Sequence, residues 1–188
     1  SMQTRLPCVV TAVNKAKNSV SVIPLINMVL SDGSSLRRAI IVGVPIQHLS
    51  AGGFIIHLPI NVGDYGYIRS CDRDISLFKQ SFKESTPNTK RKITFEDSIF
   101  IPDTINYNNY TIDNEDDNNL VIQSFDNSVK ISLGLDNIKI KAPTINMEGN
   151  VNINGNVATT GTLENNGVNV GSTHVHIDGS GNTTSVPQ

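Results

Sequence analysis

Aromatic residues are scarce in this 188-residue chain, at 5%, and tryptophan is absent. Large rings supply much of the burial in globular cores, so a big core running the whole length is excluded. Charge is also thin: charged residues make up 17% and the formal net charge is −2. That argues against a nucleic-acid binder working by broad electrostatic attraction. The two cysteines, Cys8 and Cys71, lie too far apart for a CxxC metal site, and their spacing requires no disulfide. Long hydrophobic runs are missing. The longest, residues 53–60, contains His57 and Pro59 and is far too short to span a bilayer. No apolar h-region of the signal-peptide kind follows Arg5, so the expectation is a soluble protein without a signal peptide, made in a cytoplasm. Ser1 before Met2 reads as a scar of tag cleavage.

What is present falls into two contrasting halves. Residues 6–13, 20–30, 38–44, 54–58 and 65–71 are short β-branched runs. Turn formers such as Ser31-Asp32-Gly33, Ala51-Gly52-Gly53 and Val62-Gly63-Asp64 separate them. That pattern predicts an all-β, OB-like barrel with core positions such as Val9 and Ile41. Residues 74–80 predict one or two helical turns with Asp74 near the N-cap. Residues 81–110 read as a connector, in which the basic triplet Lys90-Arg91-Lys92 is taken as solvated surface without function. Domain 1 is therefore placed at 1–100, barrel plus connector.

Beyond Tyr110 the composition changes. Phe125 is the last aromatic residue, no Lys or Arg follows Lys141, and 16 asparagines fall between 106 and 170. Apolar residues alternate strictly at Val129, Ile131 and Leu133, then Ile138 and Ile140, then Ile145 and Met147, then Val151 and Ile153. Period two means strands with one buried face. Glycines recur every six residues at Gly149, Gly155, Gly161 and Gly167, and a fixed short period signals a β-helical stack. A single-chain hexapeptide solenoid fits poorly, because Glu148, Asn154, Thr160 and Asn166 stand where it wants aliphatic residues before glycine. One thin apolar stripe cannot bury itself within one chain. Three intertwined chains bury three stripes and remove free sheet edges. An intertwined trimeric β-helix is the expectation for 101–170.

The last feature is His174-Val175-His176. On a strand, residues i and i+2 project to the same side. One chain offers two imidazole nitrogens and three chains offer six, enough for an octahedral metal. Residues 171–188 are accordingly read as a small metal-binding apex. Asp178 has two readings, an acceptor orienting an imidazole N–H and a plain Asp-Gly turn, and the turn is preferred. Residues 179–188 look like coil that folds back or frays, with Val186 as the only apolar anchor. His48 and His57 read as ordinary barrel residues.

Three segments then carry a resemblance. Gly63-Asp64-Tyr65-Gly66-Tyr67-Ile68 with Arg73-Asp74-Ile75 resembles the end of an N-terminal OB domain. Residues 145–170 resemble a glycine-punctuated triple-stranded β-helix, and His174-Val175-His176 resembles an HxH apex motif. In this order they resemble the central membrane-piercing spike at the tail tip of contractile-tailed bacteriophages. The departures are Val175, bulkier than the small residue expected between the histidines, and the preceding Ser172-Thr173. The resemblance implies a homotrimer in which His174 and His176 of three chains hold one structural iron ion. Six-coordinate imidazole also disfavours tetrahedral zinc. It further implies an OB domain docked on the baseplate or tail hub protein, a virion location at the baseplate tip, and the host outer membrane as target. No catalysis is expected. The runner-up is a receptor- or glycan-binding trimeric tail spike or fibre, weakened by the lack of distal aromatics to stack on sugars. A hexapeptide acyltransferase or metal hydrolase ranks below, since no Ser, Cys or carboxylate partners the histidines at suitable spacing.

Overall fold

Strand β1 (Arg5–Asn14) is the element on which the first half is built. The strands after it are β2 (Ser19–Pro24), β3 (Met28–Val29), β4 (Ser35–Leu36), β5 (Ile41–Pro45), β6 (Leu49–Ala51) and β7 (Phe54–Ile56). β8 (Tyr65–Ser70), helix α1 (Ser76–Ser81) and β9 (Ser98–Pro102) complete this half. The computed structural model describes residues 5–105 and 110–185; Ser1, Met2 and Val186, singled out in the sequence, lie outside them. The chain divides into two compact units, Ser1–Ala142 and Pro143–Gln188.

The main sheet runs β5-β2-β1-β8-β9, with each neighbouring pair antiparallel. Its two edge strands come back together. A parallel bridge joins Ile46 to Phe100, and the Gln47 N–H donates to the Phe100 carbonyl at 2.8 Å. The sheet is thus a curled half-barrel. Local chemistry explains the tight β1–β2 reversal: the Asn14 side chain accepts from the Lys17 N–H, and Asn18 takes the left-handed conformation at φ 47°. Asparagine tolerates that region better than most residues.

The core inside the curl is Cys8, Val10, Val20, Val22, Val44, Ile68 and Phe100. Leu6, Val13, Ile41, Ile46, Ile60 and Phe95 pack around it. Of the two core positions expected from sequence, Ile41 packs at the core margin, while Val9 is half-buried between inward-facing Cys8 and Val10. A bulge between Val10 and Ala12 then resets the alternation, which is how Val13 also reaches the core. Phe100 packs so closely on β8 that only glycine fits at 66. A Cβ there would lie 2.5 Å from the Phe100 ring and 2.5 Å from the Ile101 carbonyl oxygen.

The fifth strand differs from the sequence expectation. Residues 54–58 do not join the main sheet; β7 pairs with β6 in a separate hairpin. The fifth position belongs to β9, inside the stretch read as connector. The helix is also offset: α1 has Ile75 at its N-cap, and Asp74 accepts the Ser76 N–H at 2.9 Å.

A second sheet follows, with strands β10 (Leu120–Gln123), β11 (Lys130–Leu133) and β12 (Ile138–Lys141) in antiparallel order. In the second unit, β13 (Glu164–Asn165) and β14 (Val168–Asn169) form a minimal hairpin. Asn166 and Gly167, at φ 51° and 75°, supply its turn, the Asn-Gly pairing that positive φ at both centres demands. Residues 145–163 carry no strand within the single chain.

Candidate functional site: a histidine pair and an uncovered apolar sheet

The register of β10–β12 sorts its residues cleanly onto two faces. Leu120, Leu133 and Ile138 lie opposite one another in one row, and Ile122, Ile131 and Ile140 in the next. All six share one face, as period two requires. That face is open: exposures run from 38% at Leu133 to 68% at Ile138. Six aliphatic side chains in two cross-strand rows form an apolar surface with no cover among the described residues.

The opposite face is polar, and at its middle strand it is buried. Lys130 is buried at 1% exposure. Its ammonium group bonds Asp116, contacts Asp113 Oδ2 at 2.7 Å and has Glu115 Oε1 at 3.6 Å. Ser132 donates to Asp116, and Asn119 bridges Asp116 and Ser132 at 3.2 and 3.0 Å. Lys139 pairs with Glu115. Hydrogen bonds from Lys130 and Ser132 hold the Asp116 carboxyl down at about 2. The Asp113 and Asp116 carboxylates raise the Lys130 ammonium above its ordinary value. Asp113, Glu115 and Asp116 also lie close enough to share an ion, their ligand atoms within 4.8 Å. Lys130 already supplies the positive charge there. The sequence signal for this network was the acid-rich run Asp113-Asn114-Glu115-Asp116-Asp117 followed by lysines at 130, 139 and 141. Those lysines fall on the opposite parity from the aliphatics.

The same logic applies to Arg91, read from sequence as solvated. It reaches Glu96 at 3.0 Å, Asp97 at 3.3 Å and Asp74 at 3.4 Å. Asp74 and Asp97 are buried. Thr89 donates to Asp74 at 2.7 Å and Thr94 to Asp97 at 3.1 Å. Bonds from Ser76 and Thr89, with the Arg91 charge behind them, hold the Asp74 carboxyl below the ordinary range. Arg91 therefore clasps the α1–β9 connection shut.

At the distal end, His174 and His176 are brought together, with ring centroids 5.0 Å apart and planes at 85°. The loop Gly171–His174 is tied down by Asn169, whose Oδ1 accepts the Gly171 N–H at 2.8 Å and whose Nδ2 donates to Thr173 at 2.8 Å. His174 Nδ1 lies 2.6 Å from the Gly171 carbonyl oxygen. A carbonyl only accepts, so Nδ1 carries a proton, and in the neutral ring that leaves the Nε2 lone pair free. That is the tautomer and second-partner arrangement of a metal-ligating histidine. The two imidazoles of the pair are therefore a donor set that fits an imidazole-bound metal. Beyond the pair, the chain folds back. Ile177 bridges Thr183, His176 N–H donates to Thr184 Oγ1 at 2.9 Å, and Thr184 N–H donates to the His176 carbonyl at 2.8 Å. Asp178 accepts from the Ser180 and Asn182 N–H groups at 2.9 and 2.8 Å, which makes it the turn residue. His48 and His57 stack with centroids 5.8 Å apart, and His48 Nε2 sits 2.9 Å from Asn18 Oδ1.

Residues 6–103 match the family model described as phage protein Gp138, N-terminal domain. The matched span begins in β1 and ends just past β9, so it takes in the whole curled sheet. The chain belongs to this family. Membership makes it a phage protein and supports a structural component of the virion, of tail or baseplate type. No curated protein matches the chain.

Proposed function

We propose that the protein is the central spike of a contractile phage tail. Three copies intertwine beyond residue 110 into a stiff β-helical rod, and the rod ends in a metal-pinned point. The observation that carries this reading is the in-register aliphatic face of β10–β12, open on one side and backed by a buried ion-pair network on the other. A face of this kind, bearing no charge, calls for an apolar partner. The alternating aliphatics Ile145, Met147, Val151 and Ile153, all at least 49% exposed, extend the same need along the chain. Copies of the chain meet it without any charge mismatch.

The first module supports an OB-like assignment by its connectivity. Its first strand pairs with the second and fourth, the third with the second, and the fifth with the fourth. A parallel touch between the third and fifth closes the curl. In this reading the module docks the trimer on the tail hub. His174 and His176 from three chains hold one iron ion on the threefold axis, and each His174 offers Nε2. With six imidazoles the coordination shell is full, so the metal's role is to fasten three C-termini into one tip, with no catalytic step. Sheath contraction drives that tip through the host outer membrane.

The test is metal content of the purified protein beside that of a His174→Ala, His176→Ala double variant. One iron per three chains, lost in the variant, is the expected result. Iron retained by the variant places the metal elsewhere and sinks the apex.

A further inference from the structure

Between residues 39 and 63 the chain contains no Asp, Glu, Lys or Arg. This stretch includes the β6–β7 hairpin, whose tip turns through Gly52 and Gly53 at φ 58° and 85°. Leu49 is 75% exposed and Phe54 83%, and Ile55, Ile56 and Leu58 are all at least half exposed. A two-stranded finger with free edges, large apolar side chains and no charged gatekeeper is a template for association. At the base of the finger lies a groove of ≈ 230 Å³, walled by Ile46, Leu58, Ile60 and Pro102. An apolar cavity of roughly 150 Å³ suffices to take up benzene, so a phenyl ring fits this one. One module therefore carries both an aromatic knob and an apolar socket, and neither bears a formal charge.

We propose that Phe54 of one copy seats in the Ile46–Leu58–Ile60–Pro102 groove of the next copy. A knob and socket at different places on one surface make a head-to-tail contact, and such contacts close into a ring when the rotation matches the symmetry. The inference rests on the threefold reading above and deepens it: the fingers link the N-terminal modules in a cycle, independently of the rod. Phe54 acts as the aromatic anchor in a pocket that such interfaces concentrate their energy on.

The test uses full-length chains. Phe54→Cys and Ile60→Cys are placed on separate, differently tagged copies, co-expressed and oxidised, with each single variant and the parent chain as controls. The expected product is a covalent heterodimer of the two tagged chains, absent from all three controls. Phe54→Ser, at a position too exposed to endanger the fold, is expected to weaken self-association by ~tenfold or more. A parent chain of trimeric native mass without the Phe54–Ile60 crosslink overturns the finger contact and leaves the spike reading standing. Crosslinks only between like variants overturn it as well. A monomeric parent overturns both.

Discussion

Ile131→Asp separates the fold of one chain from its assembly. Ile131 sits in the middle strand of the β10–β12 sheet, between Ile122 and Ile140, and is 40% exposed in the single chain. In a lone chain the new carboxylate reaches water and the sheet keeps its ladder and its polar face. In a trimer the aliphatic faces meet, and three carboxylates enter an apolar seam at once. Each unpaired buried ion costs several kcal/mol, so the penalty is on the order of 10 kcal/mol per trimer. At about 1.4 kcal/mol per decade, that removes roughly seven decades from the association constant. Ile131→Val, which trims one methylene, is the control and costs about 1 kcal/mol per chain. Sedimentation equilibrium reads the assembly, and far-UV circular dichroism reads the chain. The expected outcome is an Ile131→Asp protein whose self-association is weakened by several decades while its β-signal is retained. A variant that associates as tightly as the parent refutes the burial of this face.

Other outcomes follow from the first module and from the ion-pair networks. Gly66→Ala drives a methyl group into the Phe100 ring and the Ile101 carbonyl; overpacking of this kind costs about 1–3 kcal/mol. Thermal unfolding should show a lower midpoint, and an unchanged one would mean that β8 and β9 are not so close. The carboxyls of Asp74, Asp113, Glu115 and Asp116 are all lowered in the folded chain. Their stabilisation is therefore fully present above the ordinary carboxylate range, and it is lost as pH falls through the lowered values, about 2 for Asp116. Stability measured by denaturant from pH 6 down to pH 2 should decline, and Lys130→Met should flatten part of that decline. A pH-independent profile would contradict the ion-pair networks.

Much of this architecture is legible in the residues, and the failures have physical causes. The period-two aliphatics at 131, 133, 138 and 140 placed strands where β11 and β12 lie, because alternation is a local property. The fifth strand of the main sheet is not legible locally, for the opposite reason. Residues 54–58 and 98–102 are equally short apolar runs, and only a long-range pairing, Arg69 opposite Ile99 and Ile68 opposite Phe100, decides between them. Composition gives no phase, so Val9 reads as an inward-facing residue from sequence. A strand of Cys8, Val9 and Val10 is apolar at every position, and register alone chooses Cys8 and Val10. Lys130 and Arg91 look like solvated charges in one dimension. The carboxylate partners of Lys130 lie 14 and more residues away, and Arg91 meets Asp74, on the far side of α1, as well as its near neighbours Glu96 and Asp97. The histidine pair was visible as a motif. The Gly171 carbonyl that sets the His174 tautomer was not, because that contact depends on a turn whose geometry the residue types alone do not dictate.

Native mass spectrometry of the full-length protein tests the central claim most directly, since it counts chains and metal in one spectrum. A species of three chains carrying one iron ion, which releases the metal on unfolding, is the result this account requires. A metal-free monomer would contradict both the shared apex and the rod.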